Sequence, residues 1–261
     1  MRSGLLRFED WTDPVPPVER EVVSLTEDAR ADLPPLLFVP GLGHGAWAFA
    51  DHWLPQAASR GYAAHAVTPR PGGDLRAHVH DVVQVAASLP RQAVLVGQGA
   101  GALVVAYAMG RYPVRAAVLA APVMDGWPTL GAALRINPFG TLPALFGGRL
   151  RLSRKQLFGP EMPAEDAQQH LDRIVARPRR ELVMHDPAPR PVGDPPVLVI
   201  GSPDDRVVPR TSLDRTATRY GGAPLLFPGM GHDLMLDVAR AEPIEAILDW
   251  LDKTLGDQGT S

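Results

Sequence analysis

The chain of 261 residues contains no cysteine. Disulfides, thiolate nucleophiles and thiolate metal ligands are thereby excluded, and the redox compartment is left open. Long apolar runs are missing as well: none approaches the roughly 18 residues that a membrane-crossing helix takes. The opening MRSGLLRFEDW lacks a signal-type apolar core followed by a small-residue cleavage site, so a cytoplasmic protein is expected. Positive charge is not in excess either. A net charge of −3 argues against nucleic acid and against a membrane as partners. What is present is ordinary for a globular enzyme, at 45% hydrophobic and 21% charged, and long enough for one large domain or a domain with a lid. The 28 prolines and 25 glycines imply many loops.

Short continuous apolar runs alternate with helix-like stretches over much of the chain. The runs LLFVP, YAAHAV, AVLVG and RAAVLAAP are separated by helical segments over 51–59, 75–89 and 100–111. Such runs, without polar alternation, predict parallel strands covered on both faces, an α/β architecture. GLLRF and REVVSL are further strand candidates near the start. From about Asp125 to Asp194 the rhythm breaks into a proline- and glycine-rich stretch with one charged helical piece over 164–183. It resumes at PPVLVIG, APLLFPG and a last helix over 243–255. A sheet core formed by 1–124 and 195–261 is therefore expected, with 125–194 inserted as a lid.

The stretch VLVGQGAGA raises the functional question. Gly97, Gly99 and Gly101 fall between a strand and a helix. One reading is a phosphate cradle of the G-x-G-x-x-G/A type, which the turn beginning at Gly41 also fits. That fingerprint wants an acidic residue about 20 positions onward. Those positions hold Ala120 and Ala121, or Ala66 and Val67, so no nucleotide cofactor is expected. The other reading is a nucleophile elbow, G-x-S-x-G, whose serine position holds Gly99. An acid and a histidine should then follow in that order. Asp205 in GSPDDRVVP and His232 in PGMGHDLML do so, each after a predicted strand.

On these motifs the sequence resembles the α/β-hydrolase superfamily, in particular small lidded bacterial esterase- and lysophospholipase-like members, over nearly its whole length. The resemblance implies a mostly parallel sheet flanked by helices with a helical lid before the late strands. It implies His232 as base, Asp205 as its orienting carboxylate, and the N–H groups of Leu42 and Ala100 as an oxyanion hole. Three positions depart from the family pattern: Gly99 for the nucleophile, Pro40-Gly41 for the usual His-Gly, and Arg70-Pro71-Gly72-Gly73-Asp74 for the usual R-G-H-G-x-S loop. All three are expected at the mouth of the site, and together they suggest natural divergence.

Without a hydroxyl at position 99, acyl-enzyme chemistry through that residue is impossible. A buried His-Asp dyad facing two backbone donors suits proton abstraction beside a carbonyl, so elimination, isomerisation or cyclisation of an apolar carbonyl compound is the first expectation. The alternatives are esterase-type hydrolysis, through a His-activated water or in a serine hydrolase turned Ser-to-Gly, and binding of a small molecule without catalysis. Gln98, His44 and Asp125 are candidate pocket residues. Asp204 is expected to face solvent. His78 and His80 would diverge on a helix and make no metal site, and Trp47 and Trp53 are expected in the core.

Overall fold

A computed structural model describes residues 15–16, 18–146, 148–176 and 183–256. Seven strands form one sheet in the order β1-β3-β2-β4-β5-β6-β7. They are β1 (Val22–Leu25), β2 (Leu36–Val39), β3 (Ala64–Val67), β4 (Val94–Gln98), β5 (Ala116–Ala120), β6 (Val197–Gly201) and β7 (Leu225–Leu226). Only β1 runs antiparallel, against β3. Every residue of β2, β4 and β5 is buried, as expected of strands covered on both faces.

The period of two along these strands divides the core into two layers. Phe38, Val96 and Val118 face one cluster with Trp53, Leu54 and Ile247. Those partners come from α2 (Trp53–Ser59) and α10 (Ala241–Gly256), with α1 (Trp47–Ala50) alongside. Leu37, Leu95 and Leu119 face the other cluster with Val82, Val105 and Leu213. Those come from α3 (Leu75–Ser88), α4 (Ala100–Met109) and α9 (Arg210–Arg219). Between β5 and β6 the chain leaves the sheet to form α5 (Gly126–Ile136), α6 (Pro138–Leu145), α7 (Arg154–Leu157) and α8 (Ala164–Arg173).

Several sequence expectations change in detail. The helix expected over 51–59 is α2, which starts at Trp53 because its cap residue His52, at φ −136 and ψ −63, is not helical; the short α1 precedes it outside the expected span. The APLLFPG strand shrinks to Leu225–Leu226, because Pro224 and Pro228 on either side cannot donate to a ladder. The charged helix expected over 164–183 ends at Arg173. The GLLRF strand and residues 177–182 lie outside the described residues.

The β4-to-α4 turn needs its glycines for different reasons. Gly99 sits at φ 55, ψ −119, a region that strains other residues by about 1–3 kcal/mol. Gly101 has negative φ, but a Cβ there would run into the backbone oxygens of Val39 and Pro40. Backbone cannot step aside as a side chain can. Gly101→Ala is therefore expected to cost at least ~1–3 kcal/mol by overpacking, read as a lowered urea midpoint. An unchanged midpoint would contradict this close approach of α4 to the β2 loop.

Candidate active site

The sheet's carboxyl edge gathers the loops after β2, β4, β6 and β7. At the first turn of α4, Gly99 donates its N–H to Ala120 O at 2.9 Å and accepts from Val123 N at 3.0 Å, which fixes the turn against the end of β5. Facing it is His232, on the loop after β7 and 6% exposed. Its Nε2 stands 2.9 Å from where a Cβ on residue 99 would be. The ring therefore occupies space that any side chain at 99 would contest.

Nδ1 of His232 lies 2.9 Å from Asp205 Oδ2. The other oxygen, Oδ1, accepts from the backbone N–H groups of Val207 at 2.7 Å and Val208 at 3.0 Å. This Asx-type turn holds the carboxylate with one oxygen free for the histidine. Burial pushes the His232 imidazolium toward deprotonation, but the charge and hydrogen bond of Asp205, joined by the charge of Asp233, outweigh it and hold its pKa above the usual histidine value. Asp204, the neighbouring acid, is exposed and accepts instead from Gly229 N at 2.7 Å.

A cavity of about 610 Å³ opens over the dyad. Gly41, Leu42, Ala100, His44, Gln98 and His232 line its floor. The N–H of Ala100 is one of the unpaired donors at a helix start, and that of Leu42 has no partner among the described residues. The walls are mostly apolar and come largely from the inserted segment, with Trp127, Leu130, Leu145, Leu150 and Leu152. The insertion is tied to the turn after β2. Val175 N donates to Gly43 O at 3.1 Å, and the Arg173 guanidinium lies 4.1 Å over the Trp47 ring.

Two expectations are corrected. Asp125 does not line the cavity; its Oδ2 accepts from Arg215 Nη2 at 2.8 Å, an ion pair at the surface. The loop from Arg70 to Asp74 is not at the mouth either. Arg70 grips the buried Asp81 with both arms of its guanidinium, Nε at 2.7 Å and Nη2 at 2.5 Å, a bidentate pair that turns the loop toward α3. Trp53 is in the core as expected, whereas Trp47 is half-buried and stacks on His44 and on His170.

One residue of the site escaped the sequence. Asp233 is fully buried, with Oδ2 3.0 Å from His44 Nε2 and Oδ1 accepting from Gln98 Nε2 at 3.2 Å. Gln98 Nε2 also donates to His232 O at 3.3 Å. Asp233 thus ties the turn after β2, the end of β4 and the histidine loop into one unit. The only signal was an acid directly after the histidine in PGMGHDLML.

The model of the alpha/beta hydrolase family matches residues 36–249. A comparison with curated proteins finds no match. Among solved structures, the chain is similar to a bromoperoxidase from Bacillus anthracis at 17% identity, TM-score 0.66, covering 89% of this chain and 96% of that one. A soluble variant of monoglyceride lipase from Saccharomyces cerevisiae, in complex with a substrate analog, aligns at 11% identity and TM-score 0.68, over 92% and 96% of the two chains. An esterase from Rhodococcus sp. aligns at 20% identity and TM-score 0.62, over 89% and 95%. At these identities the likeness is one of fold.

Proposed function

The chain belongs to the alpha/beta hydrolase family, and from that premise we propose that it hydrolyses apolar carboxylic esters with a water activated directly by His232. The observation that carries this is the elbow itself. Gly99 supplies no nucleophile, yet His232 Nε2 faces the turn from 2.9 Å beyond the would-be Cβ, and Asp205 still orients the ring. The general base is retained where the nucleophile is missing.

In the proposed reaction the ester carbonyl oxygen accepts from the N–H groups of Leu42 and Ala100. A water hydrogen-bonded to Nε2 attacks the carbonyl carbon and passes its proton to His232 as the new C–O bond forms. The two amides stabilise the tetrahedral oxyanion, and Asp205 stabilises the imidazolium. When the intermediate collapses, Nε2–H donates its proton to the departing alkoxide, releasing acid and alcohol and restoring neutral His232. The inserted segment acts as a lid whose apolar wall receives the hydrocarbon part of the substrate.

The resemblance to an esterase and a monoglyceride lipase supports hydrolysis over the proton-abstraction chemistry expected first from the sequence. Elimination, isomerisation or cyclisation is the second reading, favoured by the same missing hydroxyl, since a dyad without a nucleophile can equally deprotonate carbon beside a bound carbonyl.

The pH profile of p-nitrophenyl hexanoate turnover tests the role of His232. The base must be neutral, and its pKa is raised in the folded protein. Activity is therefore expected to be low in acid and to rise through an inflection above the ordinary histidine value of about 6.5. Asp205→Asn removes the largest upward influence, so the inflection should move down while the plateau falls. A profile that is flat between about pH 5 and 8 would sink His232 as the base.

A further inference from the structure

We propose that the outer face of the insertion docks on an anionic lipid bilayer and opens the cavity toward lipid-borne esters; the ester half of this rests on the hydrolytic reading above. Two independent features coincide in one stretch of the insertion. The first is apolar exposure. Phe139 and Phe146 are each 88% exposed and Leu142 44%. The three stand at i, i+3 and i+7 around α6, on one side of the chain. Trp127 at 64% and Leu145 at 48% are exposed and also line the cavity, so the patch runs into the cavity mouth. A monomer that stays in water rarely leaves so many large side chains uncovered together.

The second feature is charge. Between Asp125 and Glu161 the sequence has no acidic residue, in a chain with 29 acids and a net charge of −3. That same stretch carries Arg135, Arg149, Arg151, Arg154 and Lys155, all exposed. The expectation of no membrane partner came from the charge of the whole chain. The local balance is the reverse. A second copy of this chain would satisfy the apolar patch but bring like charges together. A bilayer with anionic headgroups satisfies both, taking the Phe rings roughly 5–10 Å into the headgroup and acyl boundary and placing the cations among the phosphates. Among the described residues no helix is long and apolar enough to cross a membrane, so the mode is surface docking.

The test is co-sedimentation of the full chain with sucrose-loaded vesicles, read without any substrate. Binding is expected to vesicles of phosphatidylcholine with about one-third phosphatidylglycerol, and to be much weaker on phosphatidylcholine alone. Arg149→Ala/Arg151→Ala should weaken it about thirtyfold, near fivefold for each cation removed. Phe139→Ser/Phe146→Ser should weaken it by roughly tenfold or more, through the lost apolar insertion. None of these four residues lines the cavity, so both variants should keep the wild-type melting temperature and turnover of a water-soluble short-chain ester. Absence of binding to the anionic vesicles, equal binding to both compositions, or full binding by the Phe variant would each overturn the proposal. So would a lipid-independent dimer that Phe139→Ser/Phe146→Ser dissolves, because the face would then belong to a second copy. Ester hydrolysis without vesicle binding would overturn docking alone, and vesicle binding without hydrolysis would overturn only the ester half.

Discussion

His232→Ala is expected to lower kcat on p-nitrophenyl esters by roughly 10²–10⁴, the usual contribution of a positioned general base, with KM nearly unchanged. The separation follows from what each part of the site touches. The cavity walls that would hold the substrate are largely side chains of the insertion, and the two candidate oxyanion donors are backbone amides; none of these depends on the imidazole. Asp205 keeps its two hydrogen bonds from Val207 and Val208 after the ring is gone, so its loop is expected to hold its shape. Steady-state kinetics on matched preparations, with circular dichroism to confirm the fold, checks this. A loss confined to KM, or no loss, would mean that the dyad is only a structural hydrogen bond.

Gly99→Ser is expected to change the mechanism rather than merely the rate. A Cβ at 99 would meet His232 Nε2 at 2.9 Å, so the ring must withdraw by several tenths of an ångström, and at φ 55 a serine also carries strain of about 1–3 kcal/mol. The variant should melt at a lower temperature. Once the ring has withdrawn, the hydroxyl takes the place of the water beside a dyad that is already oriented. Activated aryl esters should then react faster, through an acyl-enzyme that accumulates as a burst. If the variant shows no burst and loses the native activity, the vacated space serves the substrate itself, and proton abstraction becomes the better reading.

The fold was legible wherever burial alone dictates sequence. LLFV, VLVGQ and AAVLA are continuous apolar runs because β2, β4 and β5 are covered on both faces. The dyad was legible because two loops at one edge of a parallel sheet inherit their proximity from strand order, which puts Asp205 and His232 together despite the distance in sequence. What failed were pairings that no periodicity encodes. Asp125 looked like a pocket acid until Arg215, on a helix far along the chain, proved to be its partner. Arg70 looked like part of the mouth because the motif around it resembles a loop found there, but its fork matches Asp81. Asp233 lay one residue from a predicted catalytic group and drew no notice, since a buried acid shared by His44 and Gln98 leaves no mark on spacing. In the insertion several large apolar side chains stand exposed or line the cavity instead of joining the core, and a charge averaged over the whole chain hid the basic stretch between Asp125 and Glu161.

The central claim is that a histidine-activated water replaces a covalent nucleophile. The measurement that tests it most directly is rapid-quench turnover of p-nitrophenyl hexanoate with intact-protein mass spectrometry on the unmodified chain, His232→Ala and Gly99→Ser in parallel. The unmodified chain is expected to release p-nitrophenol steadily with no burst and no acyl mass on the protein, His232→Ala to lose release almost completely, and only Gly99→Ser to carry an acyl adduct. A stoichiometric acyl adduct on the unmodified chain, or release no faster than that of His232→Ala, would contradict it.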